Sequence, residues 1–176
     1  IKRLTSVNRE KLEPSPRYTP LGNGIYAFED KKLLSFTPEL FFTSKLDVCY
    51  DATATCPAID KFLSEVCPGS SLMLEELAGY ILLRSNPLQK AWLFDGSGNN
   101  GKTTFLNLLV AMVGKKNSSS VPLQTLVSTR FAAAELEHKY LNVVADLSAS
   151  DLKSSGMFKS VTGGDQIMAE RKGQNP

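Results

Sequence analysis

Apolar positions recur along this chain with two different periods, and the change of period divides it. Residues 1–20 are polar and proline-rich (Pro14, Pro16, Pro20) and read as a linker-like segment. From Gly22-Asn23-Gly24 onward the apolar runs are short. Ile25–Phe28 and Leu33–Phe36 flank the polar turn Glu29-Asp30-Lys31-Lys32 and predict a hairpin, with Phe41–Thr43 and Leu46–Tyr50 as further strands. Then the spacing turns helical. Ile59, Phe62, Leu63 and Val66 lie at i, i+3, i+4 and i+7 and predict an amphipathic helix ended by Pro68-Gly69. Ser71 is the expected N-cap of a second helix, with Glu75 and Glu76 in its first turns and Leu74, Leu77, Ala78, Ile81 and Leu82 as its apolar positions. Asn86-Pro87 closes it.

A third regime follows. Ala91–Asp95 is a short apolar run bounded by Pro87 and Gly96, which predicts a buried strand. Thr103–Val113 is apolar nearly all round, with Gly114 as its stop, and predicts a helix inside the fold. After the basic, serine-rich loop Lys115–Ser120, the pattern predicts a strand at Val121–Val127. A helix from about Arg130 to His138 is expected next, capped by Ser128 or Thr129, and then a strand at Tyr140–Asp146. The organisation expected is α/β: a linker-like segment at 1–20, a small mixed, partly helical accessory region at 21–87, and a core at 88–176.

The join between the Ala91–Asp95 run and the helix after it carries the chemistry. Gly96 to Thr103 spells G-x-x-x-x-G-K-T, the Walker A pattern. A phosphate chain brings several negative charges and many acceptor oxygens, and a glycine-rich turn entering a helix points successive backbone N–H groups at them. The expected nucleotide-binding residues are Gly96, Ser97, Gly98, Asn99, Asn100, Gly101, Lys102, Thr103 and Thr104. Gly96, Gly98 and Gly101 remove Cβ atoms that would obstruct the approach. Lys102 would reach the β- and γ-phosphates, and the Thr103 hydroxyl would ligate Mg²⁺. The core is therefore expected to be a P-loop NTPase fold.

Two further features bear on that site. The run Tyr140–Ala145 ends in Asp146; an acid at the C-terminal edge of a strand downstream of a P-loop reads as Walker B, holding Mg²⁺ or its waters, or else as a turn-initiating Asp. Leu147 and Ser148 follow, so the usual second acid is absent, and Asp151 is too far along to be assigned as base. Near the C-terminus Lys159, Arg171 and Lys172 lie around a turn and a strand, and Arg171-Lys172-Gly173 reads as a hairpin tip. Such a tip can track a phosphate backbone or be a solvated loop.

Composition narrows the classes without choosing among them. Hydrophobic content is 42%, charged content 22%, and the net charge of +2 comes from 20 basic and 18 acidic residues, so bulk charge makes no case for nucleic acid and any such site must be local. No apolar run reaches the length of a membrane span and no signal peptide is visible, which together with Cys49, Cys56 and Cys67 in no metal-binding spacing reads as an intracellular protein with reduced thiols. The absence of an initiating Met, and an end just after an apparent strand, read as a piece cut from a larger polypeptide.

Taken in order, Gly96–Leu106, Phe131-x-x-x-x-Leu136, Asn142-x-x-x-Asp146-Leu147 and Phe158-Lys159-x-x-Thr162-Gly163-Gly164-Asp165 resemble the helicase part of phage and plasmid primase-helicases. These are related to the poxvirus primase-helicase and fall within superfamily 3. Asn23-Gly24-Ile25, Tyr50-Asp51, and Cys56-Pro57 with Phe62-Leu63 resemble the accessory domain that precedes that ATPase. The resemblance implies an AAA+-like ATPase, truncated here at its C-terminus, that acts as a homo-hexameric ring and moves 3′ to 5′ on single-stranded DNA. It implies ATP and Mg²⁺ as cofactors, Lys102 and Asp146 as catalytic residues, and Thr103 and Asp146 at the metal. Arg171 and Lys172 fall where the family's pore hairpin begins, with Lys159 as a further DNA contact. It also implies a primase domain in the same full-length chain, no membrane partner, and a phage, plasmid or virus protein working in the host cytoplasm. The family's polar sensor and arginine finger would lie beyond Pro176. Since an arginine supplied in trans is worth about 10³–10⁵ in rate, the fragment alone is expected to bind ATP and hydrolyse it poorly.

Two other readings fit the Walker A pattern. One is a nucleotide-gated DNA-binding or replication-initiation module without motor activity. The other is a small P-loop phosphotransferase, although Arg130 is the sole arginine between Arg84 and Arg171 to build a lid. No N-K-x-D guanine-reading motif is present.

Overall fold

The computed structural model describes residues 15–129, 131–146, 155–165, 167 and 169. It opens with an antiparallel sheet of three strands in the order β1 (Tyr18–Leu21), β2 (Gly24–Ala27) and β3 (Lys32–Leu34). Tyr18 pairs with Ala27 and Ile25 with Leu34. The hairpin expected from the alternating pattern is β2–β3. β1 begins at Tyr18, inside the segment read as linker-like.

The expected strands at Phe41–Thr43 and Leu46–Tyr50 are not among the five regular strands of the described residues. The second stretch instead runs beside β1 on isolated hydrogen bonds. Leu46 N–H donates to the Pro20 carbonyl at 3.0 Å, and Gly22 N–H to that of Val48 at 2.7 Å. At its end the Asn23 side chain takes the place of a backbone partner: its Nδ2 donates to the Tyr50 carbonyl (2.8 Å) and its Oδ1 accepts from the Tyr50 N–H (2.9 Å). A ladder closed by a side chain does not propagate as a strand.

Two helices follow at α1 (Pro57–Val66) and α2 (Ser71–Ile81), close to the sequence expectation. Proline at the start of α1 loses no hydrogen bond there, because the first-turn N–H groups have no intrahelical acceptor. Ser70, not Ser71, occupies the N-cap of α2, and it makes no side-chain capping bond. The third helix, α3 (Lys102–Val113), buries one stripe, Phe105, Leu109 and Val113, and leaves its other apolar residues half-covered or exposed; it is not enclosed all round.

That stripe completes the main core. Leu21 and Leu46 from the sheet region, Leu63, Leu74, Leu77 and Ile81 from α1 and α2, and the α3 stripe form one cluster. Each such side chain contributes about 1.5–3 kcal/mol on full burial. The regions anticipated as accessory and core are therefore joined by shared hydrophobic packing. Asn117, only 3% exposed, fastens the end of α3. Its Nδ2 donates to the carbonyls of Val113 (2.8 Å) and Lys45 (3.0 Å), satisfying a carbonyl that the helix end would leave open.

Beyond α3 the chain departs further from the pattern. A parallel pair joins β4 (Ser118–Ser119) and β5 (Leu141–Asn142). The strand expected at Val121–Val127 is instead α4 (Leu123–Ser128). Pro122 decides this. It has no N–H for a ladder, and its carbonyl accepts the first helical bond, from Leu126 N–H at 3.1 Å. The Asn142 side chain ends the extended segment just before it, bonding both N–H (2.8 Å) and carbonyl (3.0 Å) of Val121. The helix expected from Arg130 to His138 is a short 3-10 turn, Ala132–Leu136; Arg130 itself lies outside the described residues. Helix α5 (Ser155–Gly163) packs Met157 and Val161 against a second small core of Val121, Leu126 and Ala132.

Candidate nucleotide-binding site

Ala91–Asp95 forms no strand. Trp92 is 44% and Leu93 71% exposed, and only Phe94 turns inward, its ring 5.7 Å from that of Phe105. No described strand lies beside this run to accept its backbone hydrogen bonds. The run ends in the loop that carries the Walker A residues.

The loop is shaped by left-handed backbone at Gly98 (φ +98°), Asn99 (φ +48°) and Gly101 (φ +82°). Asparagine tolerates this conformation better than most residues, and glycine adopts it without strain. Gly101 is the N-cap of α3, so no side chain caps the first-turn N–H groups. Lys102 folds back over its own loop: its ammonium donates to the Gly96 carbonyl (3.1 Å) and to Asn100 Oδ1 (2.7 Å). A Cβ at Gly96 would collide with the Asn100 amide and stand 2.9 Å from the Lys102 ammonium. A Cβ at Gly101 would collide with Val66 and stand 3.3 Å from Phe62 Cε2, so the end of α1 rests against the start of α3. Ser97, Thr103 and Thr104 are exposed, the threonines on the first turn of α3.

Lys102, Gly96 and Asn100 thus share one hydrogen-bonded loop. Asp146 stands outside it: exposed, beyond the end of β5, with no hydrogen bond or ion pair to Lys102. The strand expected over Tyr140–Asp146 is regular only at Leu141–Asn142, extended by one bond from Val143 N–H to the Ser119 carbonyl at 2.9 Å. Lys159 is exposed on α5. Arg171 and Lys172 lie outside the described residues, as does Asp151.

One residue beside the loop was read from sequence only as a helix stop. Asn86 accepts from the Tyr80 hydroxyl (2.6 Å) and the Lys90 N–H (3.3 Å), and its amide donates to the carbonyls of Lys90 (3.0 Å) and Thr162 (3.2 Å). Gln89 Nε2 donates to the Gly163 carbonyl at 3.2 Å. The segment entering the Walker A loop is thereby fastened to α2 on one side and to the C-terminal end of α5 on the other. The Asn-Pro pair gave no signal of these bonds.

Among the described residues no group of His, Cys, Asp and Glu could by itself hold a metal ion, and no helix is long and apolar enough to cross a membrane. The three cysteines are free thiols.

Residues 1–68 match a family model described as D5 N terminal like. This relates the chain to phage and viral primase-helicases. Residues 94–176 match a second model, described as a family of unknown function, DUF5906. No curated protein matches the chain. The first match supports a context of DNA replication. In the structure the two matched segments meet in one core, Leu21, Leu46 and Leu63 from the first packing with Phe105, Leu109 and Val113 from the second.

Proposed function

We propose that residues 96–104 bind ATP with Mg²⁺ and that the protein is the ATP-binding part of a replicative DNA helicase of the primase-helicase kind. The observation that carries this reading is the position of Lys102, whose ammonium is held, among the described residues, by neutral oxygens of its own loop at 3.1 and 2.7 Å. A phosphate oxygen, carrying charge, is a stronger partner than either.

The residues fit the nucleotide. The space a Cβ would fill at Gly96 is where Asn100 and Lys102 close over the loop, and the uncapped first turn of α3 offers N–H groups to an anion. Bound ATP would supply the phosphoanhydride bond, and Mg²⁺ would supply positive charge that offsets the negative charge of the phosphates. Lys102 orients the phosphate chain and neutralises charge. Thr103 would offer its hydroxyl to the metal, and Asp146, which lies outside the loop, would serve as the Walker B acid. In this reading the core is a P-loop, AAA+-like fold working as a homo-hexameric ring on single-stranded DNA, with Lys159, Arg171 and Lys172 as DNA contacts.

The test is ATP turnover by the intact protein, with and without single-stranded DNA, beside its Lys102→Ala variant. DNA-stimulated turnover that disappears in the variant supports the motor. Turnover indifferent to DNA favours a phosphotransferase, and binding without turnover a nucleotide-gated assembly module.

A further inference from the structure

Residues 36–45 leave aromatic surface open, and no Walker A residue lines the clefts beside them. Phe36 is 55% and Phe41 47% exposed, and both line a cleft of about 450 Å³ with Pro38 and Leu40. Cations already sit on two rings of this segment: the Lys45 ammonium is 5.9 Å from the centre of Phe36, and the Arg84 guanidinium 5.1 Å from that of Phe42. The cleft continues through Ser44 and Lys45 into a second, polar one of about 270 Å³. That one is lined by Lys45, Lys116 and Lys139 together with Glu137 and His138. Lys116 pairs with Asp47 at 2.7 Å, and the Lys139 ammonium donates to the Lys116 carbonyl at 2.6 Å. The three lysines thus come from three parts of the chain, Lys116 paired with the Asp47 carboxylate and Glu137 lining the same cleft.

Exposed rings next to clustered lysines have a specific use. Every nucleobase has a π-face that stacks on an aromatic side chain, and every linkage beside it carries a phosphate. We propose that these joined clefts bind single-stranded DNA without sequence preference, bases stacking on Phe36 and Phe41 and phosphates meeting Lys45, Lys116 and Lys139. The geometry makes the case for a single-stranded polynucleotide; the choice of DNA rests on the replication reading above. The site requires no nucleotide at Lys102. It gives the sheet side of the molecule a hold on the strand independent of the ATP cycle.

The experiment is fluorescence anisotropy of labelled oligo(dT) with the full chain, without ATP, over a range of salt. Phe41→Ala and Phe36→Ala are each expected to weaken binding about five-fold or more with the salt slope unchanged. Lys45→Gln is expected to lower the slope of log K against log salt by about 0.7, the share of one phosphate contact. Lys61→Ala, on the exposed side of α1, leaves both unchanged. Equal affinity of the wild-type and both phenylalanine variants overturns the proposal, as does absence of binding or a clear preference for oligo(U) or duplex DNA. ATP binding, measured separately on the same protein, shows whether the Walker A reading fails or holds independently of this one.

Discussion

The Lys102 ammonium stands 2.7 Å from Oδ1 of Asn100, and the space for that pairing exists because residue 96 is glycine. The atoms a Cβ at position 96 would meet are the far ends of two side chains, which can swing away. Gly96→Ala is therefore expected to leave unfolding stability within about 0.5 kcal/mol of wild type. It should nevertheless displace Lys102 and weaken ATP binding at least ten-fold. Thermal unfolding and a nucleotide titration on the same variant check both halves.

Gly101 should behave in the opposite way. Its φ of +82° strains any side chain, and its neighbours are the half-buried side chains of Val66 and Phe62 on α1, held by packing where those at Gly96 are side-chain tips. Gly101→Ala is expected to destabilise the fold by roughly 2–5 kcal/mol, from the left-handed backbone and the overpacking together. Val66→Ala in the same background should recover part of that loss, and chemical denaturation of the two variants measures it.

The Asn86 hub makes a claim about long-range fastening. Asn86→Ala removes four hydrogen bonds in one step and leaves the Tyr80 hydroxyl without its acceptor. A loss of about 1–3 kcal/mol is expected, and Tyr80→Phe alone should cost about 1 kcal/mol. The two effects should be less than additive in a double-mutant cycle, because they share a bond.

Asn117 is almost fully buried, and its amide serves carbonyls from two separate segments. Asn117→Leu, of similar volume, is expected to cost about 2–4 kcal/mol, as it leaves the carbonyls of Val113 and Lys45 without these donors. Hydrogen exchange should show the last turn of α3 losing protection before its first turn.

Much of this architecture was legible where the signal is local. The β2–β3 hairpin follows from short apolar runs around a polar turn, and α1 from Ile59, Phe62, Leu63 and Val66 on one face. The Walker A loop was legible as a motif, and two of its glycines, Gly98 and Gly101, occupy left-handed positions that favour glycine. The failures have a common origin. Val121–Val127 is apolar enough for either a strand or a helix, and Pro122 settles it through a missing N–H. Ala91–Asp95 has the composition of a buried strand but no neighbouring strand among the described residues to make it one. Asn86, Asn117 and Asn142 work through bonds to backbone 76, 72 and 21 positions away, for which sequence carries no periodic trace.

The central claim is that the loop from Gly96 to Thr104 receives ATP. The measurement that reaches it most directly is calorimetric titration of Mg²⁺-ATP into this chain and into its Lys102→Ala variant, with thermal unfolding of each alongside. The account predicts saturable one-to-one binding by the wild type and a rise in its melting temperature with ATP; at 100 times Kd the stabilisation is about 2.7 kcal/mol. It predicts a variant equally stable without nucleotide and at least ten-fold weaker in binding. A wild-type chain that is folded and takes up no ATP, or a variant that binds it as tightly, would contradict the account.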